Sequence, residues 1–229
     1  MFIIISIKIL NFTKEVFKIF ADSHRIISTK IHESIFDIYG FKLDKDKLIW
    51  GSVCPDILPQ YKIRRHYKDE SLNFVVQEII KIIFIGRYLE FNNGFDPITI
   101  KILSKKIGII SHYLSDYVCL PHAKRWTFNN NMIKHIKYES KLNDYAIYHD
   151  FRKNVILTND LDVHDLNLFN LKSEIIKYIN NVIKEYSLTA GFKYDLDFAL
   201  SLNLKITYFI FDTIELYSED ILARFALII

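Results

Sequence analysis

Glycine and proline are scarce in this chain, and their scarcity limits the folds open to it. Six glycines and four prolines occur among 229 residues, fewer than average usage gives. A chain with few turn residues is expected to run in long segments, and half of its residues are hydrophobic. These features predict an all-α protein with a large core, arranged as a single domain over residues 1–229.

Capping and breaking residues mark out the predicted helices. Asp96 followed by Pro97 is typical of a helix start, and Gly40 of a helix end. Residues 41–69 contain Gly51, Pro55 and Pro59, which predicts a long loop with a functional role. The predicted helices cover residues 22–40, 70–91, 97–120 (closed by Pro121), about 130–151, about 164–186 and about 194–226.

Charge, cysteine usage and the first residues exclude several classes of protein. A formal net charge of +3 is too small to indicate a stable nucleic-acid partner. Cys54 and Cys119 are too few for a disulfide framework and are expected to be free thiols. The opening MFIIISIKIL lacks a charged leader and a small-residue cleavage site, which predicts an uncleaved segment and a cytoplasmic protein. No uncharged apolar window is long enough for a transmembrane helix.

The stretch HYLSDYVCLPHA, residues 112–123, carries the clearest chemical signal. Positions i and i+4 share one face of a helix, so His112 and Asp116 lie side by side. HIKYE repeats the spacing with His135 and Glu139 on the next predicted helix. Two such pairs on consecutive helices can bind a metal between them, and His122 lies at the joint and can reach either pair.

Three upstream residues are further ligand candidates. His24 lies near the start of the first helix, Asp56 follows Pro55, and His66 follows two arginines. Taken singly, each has an ordinary interpretation as a structural, turn or solvated residue. Zinc suits a set of imidazoles and carboxylates, while manganese and iron remain open alternatives.

The order and spacing of these residues resemble the bacterial zinc-dependent phospholipase C family, the alpha-toxin-type lecithinases. SHYLSDYVCLPHA is similar to the central motif of that family, and HIKYES to the helix that follows it. SHRII resembles its first-helix histidine, and PD followed by RRH its loop ligands. The resemblance covers roughly residues 22–140, and the remaining third of the chain carries no motif.

The resemblance implies an all-helical domain that holds two to three zinc ions. One site would take Asp56, His66, His112 and Asp116, and a second would take His122, His135 and Glu139. His24 would bind the third ion, with Asp116 as the bridge, and Asp56 would be the catalytic residue that orients or deprotonates a water. Members of the family complete the third site with an N-terminal tryptophan, whereas here both tryptophans, Trp50 and Trp126, follow His24.

The implied function is a zinc-dependent phosphodiester hydrolase, most specifically a phospholipase C that removes phospholipid head groups with a metal-activated water. Its partner would be a phospholipid or other phosphodiester, with peripheral contact to a membrane surface. Choline-preferring members have an aromatic residue after the loop aspartate. Here that residue is Ile57, which disfavours a choline site unless Tyr61 or Tyr67 substitutes.

Two alternatives stay open at the level of sequence. A trinuclear zinc nuclease of the fungal single-strand-specific type resembles the same ligand order, but with His-xxx-Asp in the second pair and a longer insertion before it. This chain has Glu139 and twelve residues between His122 and His135. The second alternative is a non-catalytic helical module stabilised by metal.

Overall fold

Helices make up the regular secondary structure of the part of the chain that the structure describes. The computed structural model describes residues 22–86, 96–126, 128–163 and 170–226, and no strand occurs in these ranges. The described helices are α1 (Asp22–Tyr39), α2 (Lys45–Ile57), α3 (Pro59–Lys62), α4 (Lys68–Gly86), α5 (Pro97–Tyr117), α6 (Leu120–Ala123), α7 (Phe128–Ala146), α8 (Leu171–Ser187) and α9 (Phe192–Ala226).

Several predicted helix ends are confirmed. The Asp96 side chain accepts hydrogen bonds from the N–H groups of Ile98 and Thr99 at 2.9 and 3.1 Å, which caps α5. Gly40 follows α1 with a φ of +72°, a conformation that glycine adopts without strain. The predicted N-terminal segment, residues 87–91 and residues 164–169 lie outside the described residues.

The predicted loop over residues 41–69 is wrong. Most of it is helical, because the Asp44 side chain caps α2 by accepting the Lys47 N–H at 2.9 Å. Pro55 lies in the last turn of α2, where it cannot donate to the Gly51 carbonyl. The Cys54 thiol lies 3.4 Å from that carbonyl oxygen and donates to it instead. Asp56 is therefore held at a helix end and not in a loop.

Two further boundaries differ from the prediction. α5 ends at Tyr117, and Pro121 lies inside the first turn of the short helix α6 instead of closing α5. α7 ends at Ala146, five residues before the predicted end, and its backbone leaves helical geometry at Asn131. Pro121 is compatible with α6 because the first turn of a helix does not need its N–H groups.

The central helix α5 packs against α1, α2, α4 and α9. α5 and α2 cross in close contact, because each helix has a glycine at the crossing. A Cβ atom on Gly108 would meet the Leu48 carbonyl oxygen and would lie 2.8 Å from the Ser52 amide nitrogen. A Cβ on Gly51 would likewise meet the Lys105 carbonyl oxygen. This crossing sets the position of the end of α2 relative to α5.

We expect Gly108→Ala to lower the free energy of unfolding by about 1–3 kcal/mol, the usual cost of overpacking. The atoms in the way belong to the backbone, so only a separation of α2 from α5 can relieve the clash. Chemical denaturation measures the effect. Lys101→Ala on the exposed side of the same helix is the control and should stay within about 0.5 kcal/mol. A Gly108→Ala protein with wild-type stability would contradict the close crossing.

The buried interior is built mainly from aliphatic side chains with a few large aromatic ones. Tyr113, Tyr117, Tyr186 and Phe211 are among the largest fully buried side chains. Cys54 and Cys119 are both buried and free, as expected. Among the described residues, no helix is long and apolar enough to cross a membrane.

Candidate metal centre

All eight predicted ligands converge on one region of the fold. Every contribution comes from a helix or from a turn fixed by helices on both sides. The ligands are His24 on α1, Asp56 at the end of α2, His66 in the turn before α4, His112 and Asp116 on α5, His122 on α6, and His135 and Glu139 on α7. Seven of them line a cavity of about 340 Å³.

The first group consists of His66, His112, Asp116 and Asp56. The His66 Nδ1, the His112 Nε2 and the Asp116 Oδ2 lie 3.0 to 3.3 Å from one another. The Asp56 Oδ1 lies 3.5 Å from both imidazole nitrogens. Four ligand atoms around a tetrahedral zinc, each at about 2.0–2.1 Å, are separated by about 3.4 Å. The spacing of this group therefore fits one zinc ion.

The second group consists of His122, His135 and Glu139. Its centre is the Glu139 Oε1, which lies 3.0 Å from the His122 Nε2 and 2.6 Å from the His135 Nε2. The three ligand atoms lie within 4.8 Å of one another. Three protein ligands leave one vertex of a tetrahedral ion free.

Asp116 lies between the two groups. Its Oδ2 belongs to the first group, while its Oδ1 lies 3.4 Å from the His24 Nε2 and 3.8 Å from the His122 Nε2. The His24 ring stacks on the His112 ring with centroids 4.3 Å apart. His24, Asp56 and His112 also form a possible ligand triplet. A single carboxylate thus faces every part of the centre.

Backbone carbonyl groups orient two of the imidazoles. The Nδ1–H of His112 donates to the Ser52 carbonyl at 2.8 Å, and the Nδ1–H of His135 donates to the Trp126 carbonyl at 3.0 Å. Both contacts turn the Nε2 lone pair into the centre, as partners behind metal-bound histidines do. Sequence reasoning missed them, since any residue type can supply a carbonyl oxygen.

Asp116 and Glu139 are held in their anionic forms. Burial opposes ionisation of Asp116, but the neighbouring imidazoles, His122 foremost, outweigh it and hold its pKa well below its usual range. Burial also opposes ionisation of Glu139, yet the hydrogen bonds to His122 and His135 lower its pKa to about 2. Anionic oxygens in a buried site require cations nearby.

The protonation of His112 shows that the residues fit a metal ion. Burial lowers the pKa of its imidazole to about 4, so the ring is neutral at pH 7. Its one proton is on Nδ1, and the Nε2 lone pair therefore faces the oxygens of Asp116 and Asp56. Lone pairs in such an arrangement repel unless a cation lies between them. The buried Asp116 Oδ2 also lacks a hydrogen-bond partner.

Residues 23–192 match the sequence pattern of the family described as zinc dependent phospholipase C. That match covers most of the chain and includes all eight candidate ligands. The protein belongs to the zinc-dependent phospholipase C family. The family that the motifs around His112 and His135 indicated is thereby confirmed.

A solved structure with the same architecture is the crystal structure of Clostridium perfringens alpha-toxin isolated from avian strain SWCP. Its TM-score with this zinc-dependent phospholipase C family member is 0.52 at 19% sequence identity. The match covers 89% of this chain and 64% of the toxin chain, so the protein spans less than two thirds of the toxin's length. The likeness confirms the predicted all-α fold. No curated protein matches the chain in sequence.

We expect His112→Ala and His135→Ala each to remove about one zinc ion from this family member, because each variant deletes a ligand from a different group. Elemental mass spectrometry of the purified variants measures the loss. His149→Ala removes a histidine from outside the centre, which contacts Asp197 instead, and should leave the zinc content unchanged. Full zinc content in both ligand variants would contradict the two-group arrangement.

Proposed function

We propose that the protein is a phospholipase C that uses two to three zinc ions to hydrolyse the phosphodiester bond of a phospholipid. The observation that carries the proposal is the arrangement of eight candidate ligands, in which Asp116 joins a group of four to a group of three and also faces His24. A structural zinc site needs only four ligands and closes around them. A ligand set this large, beside a cavity and with an open vertex, is typical of catalysis on phosphate esters.

The two groups are suited to different tasks. The first group offers four protein ligands to one ion, whereas the second offers three and leaves room for an oxygen of the substrate. Zinc bound in these groups supplies positive charge that stabilises the phosphoryl oxygens as negative charge develops, and it lowers the pKa of a coordinated water. The protein contributes ligand geometry, since the helices fix each side chain before substrate arrives.

Asp56 is the proposed catalytic residue. Its side chain is more exposed than that of Asp116, and it lines the cavity. One oxygen faces His66 and His112 at 3.5 Å, so the other can accept a proton from an attacking water. A carboxylate within hydrogen-bond reach of the nucleophile is the arrangement that general-base catalysis requires.

The residues near Asp56 argue against a strong preference for choline. Ile57 supplies no aromatic face. The Tyr67 ring is already occupied by a protein cation, because the Arg125 guanidinium lies 4.9 Å from its centroid. Tyr61, the other candidate, packs partly buried against the hydrophobic core. We therefore propose that a head group other than choline is preferred.

Contact with a phospholipid surface is part of the proposal. Ile63 is 86% exposed and is followed by the exposed residues Arg64 and Arg65, in the turn that leads to His66. On α7, Ile133 is 72% exposed, and the partly exposed Ile136 lines the cavity. Exposed aliphatic side chains beside basic residues are suited to the interface of a membrane with anionic lipids.

The proposal is tested with purified, zinc-loaded protein and mixed phospholipid vesicles. We expect release of phosphorylated head groups together with diacylglycerol, and loss of both products after treatment with a chelator. Release of nucleotides from single-stranded DNA without cleavage of lipid would assign a nuclease instead. Zinc binding without hydrolysis of either substrate would assign a non-catalytic metal-stabilised module.

A further inference from the structure

Asp195, near the start of α9, is the most completely hydrogen-bonded acidic side chain close to the metal centre. It is 1% exposed and lines the same cavity as Asp116 and Glu139. Its Oδ1 accepts from the Tyr186 hydroxyl at 2.6 Å and from the Gly191 N–H at 3.1 Å.

The other oxygen of Asp195 reaches the two helices that carry the second ligand group. Its Oδ2 accepts from the Leu120 N–H at 3.1 Å and from the Tyr138 hydroxyl at 2.8 Å. Leu120 is the first residue of α6, two positions before His122. Tyr138 lies on α7 immediately before Glu139.

The hydrogen bonds from Leu120 and Tyr138 tie α6 and α7 to Asp195. Cys119 at the N-cap position of α6 makes no side-chain capping hydrogen bond, so the distant carboxylate of Asp195 takes that role. On α7, the Tyr138 ring packs edge-on against the Trp126 ring at 5.7 Å. The Trp126 carbonyl in turn accepts the proton of His135.

We propose that Asp195 is a positioning residue that aligns α6 and α7, and thereby holds His122, His135 and Glu139 in the geometry of one metal site. The inference rests on the proposed function only for the identity of the ion. Both oxygens of Asp195 are occupied by four donors, so it acts through these contacts and not as a ligand. The first group, on α2, on α5 and in the turn before α4, does not depend on Asp195.

The test is a zinc titration of the metal-depleted protein, measured by calorimetry in the presence of a competing chelator. Asp195→Asn keeps the volume but gives two of the four donors an amide hydrogen in place of an acceptor oxygen. We expect affinity at the second group to fall roughly ten- to hundredfold, the usual range for partners behind metal ligands. The first group should bind as in wild type. Tyr138→Phe should show a smaller loss at the same group, and it covers the case in which Asp195→Asn does not fold.

Asp197→Asn is the matched control. Asp197 lies two residues further along α9, is 0% exposed, and accepts from His149 and Arg152 at 2.7 Å, outside the ligand helices. The Asp197→Asn variant should have a lower free energy of unfolding but no selective loss of zinc from the second group. Adding Asp195→Asn to His135→Ala should also cause no further loss of zinc affinity at the second group. The effects of two mutations that act on the same site are not additive.

Three results would overturn the inference. They are wild-type zinc binding in both Asp195→Asn and Tyr138→Phe, an equal loss of zinc in Asp197→Asn, and a fully additive loss in the double variant. The proposed function fails separately, if the wild-type protein binds zinc in both groups but hydrolyses no phospholipid. A wild-type protein that binds no zinc would overturn both.

Discussion

Asp56→Asn is expected to reduce the turnover of a phosphodiester by about 10²–10⁴-fold, the range that general-base catalysis contributes. The amide has nearly the same shape as the carboxylate but cannot take a proton from an attacking water. Its oxygen can still approach the first metal group, where the Asp56 Oδ1 lies 3.5 Å from the His66 Nδ1 and the His112 Nε2. Zinc content should therefore change far less than turnover does.

Steady-state kinetics on phospholipid vesicles, with zinc content measured on the same samples, separates the two roles of Asp56. Asp69→Asn is the control, because that exposed carboxylate contacts Arg125 at 3.2 Å and no ligand. Turnover in proportion to the zinc that remains would mean that Asp56 is a ligand alone. Wild-type turnover in Asp56→Asn would remove it from the catalytic mechanism.

Helical spacing explains why part of the centre could be predicted from the sequence. His112 with Asp116 and His135 with Glu139 are each four residues apart, so each pair is fixed by the geometry of one helix. The structure places both pairs as expected, with separations of 3.3 and 2.6 Å between ligand atoms. Residue spacing along one helix can be read directly from the sequence, whereas contacts between helices cannot.

Contacts between distant segments were less accessible to prediction. Gly51 and Pro55 predict a loop when they are considered within their own segment, but Gly51 lies at a close helix crossing and Pro55 in a terminal helical turn. The role of Gly51 depends on its contact with α5, a helix more than forty residues away in the chain. Asp195 was missed for the same reason, since its Leu120 contact spans 75 residues. An acidic residue within a long apolar helix is nevertheless a signal that could have been followed.

The largest effect on metal binding is expected for Asp116→Asn. This carboxylate directs one oxygen toward His66 and His112, and the other toward His24 and His122. Asparagine removes a negative charge from a position that faces both ligand groups. Affinity should fall at two sites together, by more than the roughly ten- to hundredfold expected for a residue that acts only behind the ligands.

The comparison with His122→Ala decides whether Asp116 couples the sites. His122 belongs to the second group, so its loss should weaken mainly one site in a zinc titration. An ordinary exposed carboxylate would change stability by at most about 0.5 kcal/mol and leave every site intact. Asp116 is 4% exposed, and the imidazoles around it hold its pKa well below its usual range in spite of that burial, so its environment differs from that of an exposed carboxylate. If Asp116→Asn binds zinc as the wild type does, the two groups are independent, and a joint multinuclear centre is the wrong description of this site.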